Sequence, residues 1–368
     1  MSEHPADTNS FIAALLRDLA AAQSSERSGW GYKRAANAVL GLDVPIESLL
    51  QPDGTLAKIR HVGPKSEQVI LEALRTRESP TVERAVDASA RPSDIRRRRA
   101  LRSNFLSRSR VVAALNDASL IGPSLDDYHG DLQMHSEWSD GSQTLEQIVE
   151  AGIDRGYDFC GVTDHSYGLP IAGGLSMEEM AEQHATIDKI NRRYRGRFRL
   201  LKGVEANIRA DGTVDMTASE LAQLELVVAA PHSVLRSGAD QTSRMIAAVN
   251  TRGVHIIGHP RGRMYGSRAG VSANWDEVFG AAARSGVAME LDGDPARQDM
   301  DFELARRARD AGCLFALDSD AHSTPELSYA ETAIAHARLA GIPADRIINC
   351  WPLDRLLEWL ESRRIATV

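Results

Sequence analysis

The sequence has little cysteine and no long apolar run. Its three cysteines, Cys160, Cys313 and Cys350, are far apart and form no Cys-x-x-Cys pair, so we expect buried free thiols rather than disulfides or zinc ligands. No apolar stretch approaches the roughly 18 residues of a membrane span. The first ten residues, MSEHPADTNS, lack the basic and apolar segments of a signal peptide. The expected protein is cytoplasmic and makes no membrane contact.

The charge is acidic overall but uneven. The chain has 368 residues, enough for one large and one smaller domain, and a net charge of −8, which argues against a uniformly DNA-coating surface. Residues 91–110 nevertheless contain eight arginines and a single aspartate. This segment is either a solvated linker or helix face, or an arm that contacts phosphate. Under the second interpretation the candidate DNA contacts are Arg96, Arg97, Arg98 and Arg99.

Residues 1–78 are predicted to form a small all-α domain, because FIAALLRDLAAA and GYKRAANAVLGL place apolar residues at helical spacing. Residues 56–74 are predicted as helix, short turn and helix, with the second helix opened by Lys65 and Ser66. The backbone N–H groups at such a helix start can hold one phosphate.

This segment resembles the helix-hairpin-helix motif of DNA-binding proteins that do not read sequence. The resemblance implies DNA contacts at Gly63, Lys65 and Ser66. That motif has two glycines in its turn, whereas His61 occupies the first of those positions here. A side chain at that point hinders close approach to DNA, which leaves a purely structural hairpin as the alternative.

Residues 79–128 are predicted as an arginine-rich linker with room for one helix. From residue 129 to 368, strand-like and helical stretches alternate, which predicts a parallel sheet. The predicted strands are 130–135, 158–163, 198–204, 225–230, 254–258, 287–291 and 314–318, and the helices between them include 143–156, 176–195, 240–252, 274–285 and 301–311. The expected fold class is α/β, a closed TIM-like (β/α)7 barrel preceded by the small all-α domain.

Residue types that commonly bind metal ions follow most of these strands. Imidazole and carboxylate are ligands for zinc, manganese and iron, and a barrel places its chemistry beyond the C-terminal ends of its strands. A lone histidine is more often structural than a ligand, but recurrence at equivalent positions of a βα repeat reverses that balance. The candidates are Gln133, His135, Asp140, His165, Glu205, His232, His259, Asp320 and His322. The remaining histidines, His4, His61, His129, His184, His255 and His336, lack this placement and are predicted to be structural.

The barrel half resembles the PHP (polymerase and histidinol phosphatase) superfamily, and within it the C-terminal domain of bacterial family X DNA polymerases. The resemblance covers about residues 130–360 and is carried by GDLQMHSEWSDG, GVTDHSYGL, IIGHPRGRMYGSR, ELDGDPARQDMD and DSDAHS. It implies a distorted seven-stranded barrel with three metal ions, Mn²⁺, Zn²⁺ or Fe²⁺. The segment between the helical part and the barrel has no space for a polymerase palm and fingers, so no polymerase activity is expected.

The resemblance implies a division of the ligands among three ions. The first ion has Gln133, His135, Glu205 and Asp320, the second shares Glu205 with His232 and His259, and the third has Asp140, His165 and His322. The superfamily has histidine where this chain has Gln133. An amide oxygen is a harder and weaker ligand, which favours manganese over zinc.

The predicted catalytic residues are His135, Glu205 and Asp320, with Arg263 and Arg297 as phosphate-binding arginines from the matched segments. Arg261 and Arg268 lie in the same loops, and pairing with surface acids is the alternative for each arginine. The leading hypothesis is a phosphoesterase that acts on DNA as a 3′-5′ exonuclease, an abasic-site endonuclease or a 3′-phosphatase, in DNA repair and with repair proteins as partners. The alternatives are a small-molecule phosphatase of the histidinol phosphatase type and a metal-stabilised scaffold without activity.

Overall fold

The computed structural model describes residues 7–364, which divide by their internal contacts into two units. The helical unit comprises the described residues up to Asp117 together with Tyr265–Ser267, and the barrel unit comprises the rest of the described chain from Ala118 onward. The sequence-based boundaries at residues 78 and 128 are therefore not where the contacts divide. His4, predicted to be structural, lies outside the described residues.

The described part of the helical unit contains α-helices whose first turns are mostly capped by side chains. They are α1 (Thr8–Ala21), α2 (Glu26–Leu40), α3 (Pro64–Thr76), α4 (Pro80–Asp87), α5 (Pro92–Ala100) and α6 (Arg108–Asn116), with a 3₁₀ turn at Ile46–Leu49. Asp7, Ser25, Ser79 and Ser107 each accept a hydrogen bond from a first-turn N–H. Such caps satisfy N–H groups that have no partner within the helix.

The predicted linker is largely folded. Three helices, α4 to α6, form where room for one was expected. Val82, Val86 and Ile95 are almost fully buried and belong to the same hydrophobic core as Ile12 and Leu16 of α1. Burial of these three apolar side chains stabilises the segment, although the serines and arginines around them resemble a linker in composition.

The predicted helix-turn-helix at residues 56–74 is only half right. The second helix forms as α3, with Gly63 as its N-cap, but residues 56–63 form turns and loop in place of the first helix. His61 adopts a left-handed backbone conformation with φ of 68°, which interrupts any helix at that point. The glycine position of the motif is therefore occupied by a residue in a glycine-like conformation.

The barrel unit is built on seven parallel strands in sequential order. They are β1 (Gly130–Met134), β2 (Phe159–Val162), β3 (Arg199–Asn207), β4 (Leu226–Ala230), β5 (Ile256–Ile257), β6 (Ala288–Asp292) and β7 (Leu314–Asp318). β1 and β7 close the ring, because Met134 pairs with Ala321 in a parallel bridge and the His135 N–H donates to the Ala321 carbonyl at 2.9 Å. The predicted distorted (β/α)7 barrel is confirmed.

Each strand is followed by a helix, and the five helices predicted between the strands are all present. The helices are α7 (Leu145–Asp154), α8 (Met177–Arg193), α9 (Ala218–Leu221), α10 (Thr242–Val249), α11 (Trp275–Ser285), α12 (Phe302–Ala311), α13 (Ala330–Ala340) and α14 (Leu353–Arg363). Reciprocal capping boxes fix the starts of α7, α8 and α9. All seven strands run in the same direction. The residues that follow them therefore meet at one rim of the barrel, the C-terminal rim.

Other predictions made from composition concern the cysteines and membrane contact. All three cysteines are free, with Cys160 and Cys313 buried and Cys350 half-buried. Among residues 7–364, none of the helices combines the length and apolar character that a bilayer crossing requires.

Candidate metal centre

The C-terminal rim of the barrel brings the predicted metal-binding residues together. His135 follows β1, His165 follows β2, Glu205 lies in β3, His232 follows β4 and His259 follows β5. Asp320 and His322 follow β7, and Asp140 lies in the loop after β1. Gly141 allows that loop to fold tightly, since a Cβ there would lie 2.3 Å from the His135 carbonyl oxygen.

Glu205 is at the centre of the cluster and is almost fully buried. Its Oε1 lies 2.9 Å from Nε2 of His259 and 3.3 Å from Nε2 of His232. Its Oε2 lies 3.0 Å from Nδ1 of His165 and 3.5 Å from Nε2 of His135. Each carboxylate oxygen therefore faces a different pair of imidazoles, an arrangement that suits a carboxylate bridging two ions.

Asp140 organises a second group of imidazoles. Its Oδ2 lies 3.5 Å from Nε2 of His165, and its Oδ1 lies 3.5 Å from Nε2 of His322 and 3.7 Å from Nδ1 of His135. The His165 and His322 rings stack against His135, each with centroids 4.4 Å away. Two ligand atoms at about 2.1 Å from one tetrahedral ion are about 3.4 Å apart, so these separations match a shared cation.

The first of the three predicted ligand sets is also adjacent in space. Nε2 of His135 lies 3.1 Å from Oδ1 of Asp320, and Asp320 has a left-handed backbone with φ of 52°. Such a conformation is costly for most residues and is often found at functional sites. Gln133, two residues before His135 on β1, is completely buried, and neither atom of its amide has a hydrogen-bond partner.

The Gln133 amide and the His135 ring test whether a cation fits this centre. A buried amide without a partner costs free energy. Nδ1 of His135 is likewise buried without a hydrogen bond. Together with the oxygen and nitrogen donors around them, these unsatisfied atoms fit a group of divalent cations. The cluster could therefore bind metal, in agreement with the sequence prediction.

The distances do not separate the cluster into three isolated ligand sets. Two groups have ligand atoms that all lie within 4.8 Å of one another, one of His135, Asp140, His165 and His322 and one of His165, Glu205 and His232. His165 thus contacts both the Asp140 and the Glu205 groups, and His135 reaches Asp140 as well as Asp320. The structure brings together the histidine and carboxylate members of each predicted set, while the place of Gln133 in the first set, the number of ions and the assignment of shared ligands remain predictions.

The carboxylates of the cluster favour protonated imidazoles at the positions where metal ions are expected. Burial lowers the pKa of His165, but Glu205 and Asp140 outweigh it and raise that pKa to about 10. Asp140 and Asp320 similarly raise the pKa of His322 to about 9, against burial. Burial disfavours the charged forms of Glu205 and Asp140, but nearby imidazoles hold the pKa of each carboxylate well below its usual range. Carboxylates in this centre stay ionised and require positive charge beside them.

A layer of buried acids supports the ligands, and the sequence analysis did not identify it. Asp164 accepts hydrogen bonds from the N–H and hydroxyl of Ser136, which fixes the loop after β1. Glu290 accepts from the backbone N–H of His259. Burial, followed by the charge of Asp318, raises the pKa of Glu290 well above its usual value. The available signal was the presence of carboxylates in apolar strands, namely Glu290 and Asp292 in VAMELD and Asp318 in FALDSD.

Arg297 and Arg263, the two predicted phosphate-binding arginines, have different environments. Nη1 of Arg297 lies 2.7 Å from Oδ2 of Asp320, so this guanidinium borders the cluster. Arg263 is buried; it donates to the carbonyls of Arg297 and Gln298 and pairs with Asp301 at 3.0 Å. Its donors hold the loop after β6. The direct phosphate contact predicted for Arg263 is therefore replaced by a positioning role.

Further arginines surround Arg297. Arg261 pairs with Asp301 at 3.1 Å, which is the pairing alternative considered for it. Burial, followed by the positive charges of Arg297 and Arg236, lowers the pKa of Arg268. The guanidiniums of Arg297 and Arg236 each act on that of Arg268, so positive charge is concentrated around Arg268. Arg236 was missed from the sequence, although it follows His232 by four residues in the same loop.

The predicted DNA contacts on the α3 helix have mixed exposure. Gly63 and Lys65 are exposed, and the Lys65 ammonium donates to Gln68 at 3.1 Å. Ser66 is buried, so its hydroxyl does not face solvent as the hairpin interpretation requires. Gly63, Lys65 and the backbone at the start of α3 therefore remain accessible, and Ser66 does not.

The arginine run on α5 is neutralised by acids of the same unit. Arg99 pairs with the fully buried Asp18, and the partner acids of the run are Asp18 and Glu83 for Arg99, Asp87 and Glu83 for Arg96, and Asp94 for Arg97 and Arg98. These acids come mostly from outside residues 91–110, which is why local sequence overstated the available positive charge. Ion pairs within the helical unit thus involve every arginine of the run, and the DNA contacts predicted for it remain a prediction.

Known proteins were compared with this chain at the level of families, sequences and structures. No family model matches. The DNA polymerase/3′-5′ exonuclease PolX of Bacillus subtilis is 35% identical over 233 residues, covering 63% of this chain and 41% of the relative. The chain thus spans less than half the length of that relative. The probable phosphatase YcdX of Escherichia coli K12 is 31% identical over 253 residues, covering 66% of this chain and 97% of the relative.

A solved structure has a more distant likeness. The histidinol phosphate phosphatase of Lactococcus lactis, determined with zinc, L-histidinol and phosphate, gives a TM-score of 0.41 at 16% identity over 56% of this chain and 92% of its own. The match over 97% of the length of YcdX shows the family: the chain belongs to the PHP superfamily of phosphoesterases. It is a phosphoric ester hydrolase, and the cluster at the barrel rim supplies the residues for a metal-dependent mechanism.

Proposed function

We propose that this protein is a metal-dependent phosphoesterase that hydrolyses phosphoester bonds in DNA, as a 3′-5′ exonuclease, abasic-site endonuclease or 3′-phosphatase, without polymerase activity. The observation that carries the proposal is the buried Glu205, with imidazoles on both of its oxygens and Arg297 beyond Asp320. Phosphoester hydrolysis needs a nucleophilic water, a holder for the phosphate oxygens and compensation of developing negative charge. Divalent ions bound here would lower the pKa of a water and hold phosphate oxygens.

The protein's own residues supply the remaining requirements. Arg297 presents a guanidinium beside the cluster, a geometry suited to a second phosphate oxygen. Arg263 keeps the loop of Arg297 in place through its two carbonyl contacts. Asp164 and Glu290 fix the backbone at Ser136 and His259, so that the ligand side chains are positioned before substrate arrives.

DNA as substrate is supported by the exposed face of α2. Trp30 is 62% exposed, and Arg34 lies over its ring at 5.8 Å. Arg27, Trp30 and Arg34 fall on one helix face because they are three and four residues apart. Arg34 also contacts Nδ1 of His61 at 2.8 Å, next to the exposed Arg60. An exposed indole among cations suits a base and its phosphates.

The comparisons bear on the same proposal. PolX, whose name includes a 3′-5′ exonuclease, aligns over 233 residues. Hydrolysis of DNA ends is a repair reaction, so DNA-repair proteins are the partners we expect. The DNA contacts here would be independent of sequence, since cations contact phosphates rather than base edges.

The second candidate is a phosphatase for a small phosphate ester such as histidinol phosphate. It is favoured by YcdX, a probable phosphatase that the chain covers over 97% of its length. The same metal centre would serve both functions, and the two differ only in what the helical unit contributes.

One assay separates these candidates. The full chain loaded with manganese would be incubated with labelled DNA carrying a 3′-OH, a 3′-phosphate or an abasic site, and in parallel with histidinol phosphate. We expect turnover of at least one DNA substrate with the higher kcat/KM. Hydrolysis of histidinol phosphate alone would contradict the DNA proposal and establish the second candidate.

A matched set of variants tests the DNA contacts. Trp30→Ala with Arg34→Gln should weaken binding of single-stranded DNA and flatten its salt dependence by about 0.7 in log–log slope per lost phosphate contact. The control is Arg97→Gln, because Arg97 is already paired with Asp94. Equal binding by all three proteins would exclude the α2 face as the DNA contact surface.

A further inference from the structure

We propose that the barrel unit carries a second anion-binding site, for a small ligand with two or more phosphate groups, at the N-terminal ends of β2 and β3. A cavity of about 590 Å³ lies there, between the end of α8, the start of β3 and the start of α14. Its lining includes Arg192, Arg195, Arg197 and Arg199, four arginines within eight residues of sequence. This concentration of guanidiniums around one cavity is the observation that carries the proposal.

The turn between α8 and β3 holds these arginines in place. The amide of Asn191 donates to the Leu200 carbonyl at 2.9 Å and accepts from the Leu200 N–H at 2.8 Å, which ties the two ends of the turn together. Gly196 provides the left-handed residue, with φ of 77°. The turn is therefore ordered by the Asn191 side chain, while Arg195 and Arg197 are exposed.

The acids near the cavity are already paired. Asp188 pairs with Lys202 at 2.7 Å, and Asp158 lies within hydrogen-bond distance of the His129 imidazole, at 2.9 Å. Glu225 pairs with Arg199. Arg195 and Arg197, by contrast, form no ion pair with any residue between 7 and 364. The cavity thus retains unneutralised positive charge, which a polyanion can neutralise.

The dimensions favour a small ligand over a nucleic-acid strand. Small-molecule sites are typically concave, with volumes of about 300–1,000 Å³, and this cavity is within that range. Guanidinium forks fit phosphate oxygens in a bidentate geometry. The buried Phe198 and the half-buried Leu353 add apolar lining, which suits the organic part of a nucleoside diphosphate.

This site is separate from the metal centre. Arg199 and Glu205 are six residues apart on β3, which corresponds to about 20 Å at ~3.3 Å per residue. An arginine side chain does not span that distance to a phosphate held at the rim. A ligand in the cavity is therefore not the substrate undergoing hydrolysis.

The test is isothermal titration calorimetry of metal-stripped, full-length protein with ADP, tripolyphosphate and a (dT)12 oligonucleotide as probes. The site variant is Arg195→Glu with Arg197→Glu, two exposed positions whose change should not disturb folding. The matched control is Arg252→Glu with Arg284→Glu, the same charge change on exposed arginines of the same unit. A second control, Arg297→Gln, reports binding at the rim.

We expect ADP and tripolyphosphate to bind the parent protein, with Kd raised at least tenfold in the site variant and less than twofold in both controls. Three results would overturn the proposal. They are absence of small-phosphate binding at millimolar concentration, equal weakening in the site variant and the charge-matched control, or loss of binding through Arg297→Gln instead. Binding of the oligonucleotide in preference to the small probes would also contradict a small-ligand site.

Discussion

Two kinds of buried histidine occur in the barrel unit, one structural and one in the metal cluster. Their comparison shows how the surroundings of an imidazole determine its role. His255 accepts a hydrogen bond from the Val227 N–H through Nδ1, and its Nε2 faces the Leu360 carbonyl at 3.0 Å. Burial lowers its pKa to about 4, so it is neutral and fully bonded. At the opposite rim, His165 faces two carboxylates, and its pKa rises to about 10.

The difference lies in what completes each ring's bonding. His255 obtains its partners from the protein backbone and has no need of a ligand. The imidazoles around Glu205 have carboxylates as neighbours, in a cluster that also leaves the Gln133 amide and Nδ1 of His135 without hydrogen bonds. A buried polar group that the fold does not satisfy indicates a site; one that it satisfies indicates packing.

Among the substitutions that test the difference between ligand and structural residues, removal of Glu205 should have the largest effect. Glu205→Ala deletes the carboxylate that faces four imidazoles, so we expect hydrolysis to fall by roughly three orders of magnitude, in line with the several kcal/mol that metal ions contribute to catalysis. Steady-state kinetics on a chromogenic phosphate ester measures this. Glu178→Ala, at an exposed position of α8, is the control and should retain parental activity.

Arg297 and Arg263 test the same distinction between a residue of the site and a structural residue, here for arginine side chains. Arg297→Gln should lower kcat/KM by roughly 10- to 100-fold with little change in Tm, because it borders the cluster. Arg263→Gln should mainly lower Tm, since Arg263 is buried among the carbonyls and acid that it bonds. Parallel kinetics and thermal unfolding distinguish them; a fall in Tm with Arg297→Gln and no kinetic effect would reverse the assignment.

The structural role of His255 can be tested by a substitution at the rim opposite the metal centre. His255→Leu leaves the Val227 N–H buried without a partner and should reduce the free energy of unfolding by about 1–3 kcal/mol. Urea unfolding measures this loss. Metal content should be unchanged, and a variant that lost metal would show that the two ends of the barrel are not independent.

A smaller effect is expected in the pH dependence of the stability of the metal-free protein. His165 and His322 have folded-state pKa values of about 10 and about 9, above the usual 6.5. Their contribution to stability is therefore complete below pH 6.5 and is lost as the pH rises through 9 to 10. Tm of stripped protein should fall across this window, and less so in His165→Gln. Metal-loaded protein should show a weaker dependence, because cations would replace the protons.

Gln133→His should produce the smallest change. Exchanging an amide oxygen for imidazole should raise zinc affinity relative to manganese by several-fold. Competitive titration with a metal-binding dye reports the ratio. If both affinities stay as in the parent, position 133 is not a ligand and its unsatisfied amide has another cause.

The barrel was predictable because its signal is local and repeated. Apolar strands and helical spacing recur in each βα unit, ligand types such as His135 and His259 recur in most of them, and parallel strands bring their C-terminal ends to one rim. The resemblance to a known superfamily supplied what spacing alone does not, namely the division of ligands among ions. Even so, spacing did not show that His165 contacts both Asp140 and Glu205.

The helical unit was less predictable because its decisive contacts are distant in sequence. Arg99 looked free beside its neighbouring arginines, but its partner Asp18 is 81 residues away. Val82 and Val86 are at helical spacing, but α4 has only eight residues and Ile95 is the one buried residue of α5, so the local sequence showed little sign of a shared core. Arg263 is a similar case in the barrel, since only the fold shows that its donors are directed at the loop after β6.

The central claim is that the rim cluster binds several metal ions through Glu205. The most direct measurement is elemental analysis after equilibrium dialysis of stripped protein against manganese or zinc, comparing the parent chain with Glu205→Ala. The structure leads us to expect more than one ion per parent chain and at least one ion fewer in the variant. Equal metal content in the two proteins, or none in either, would contradict the assignment.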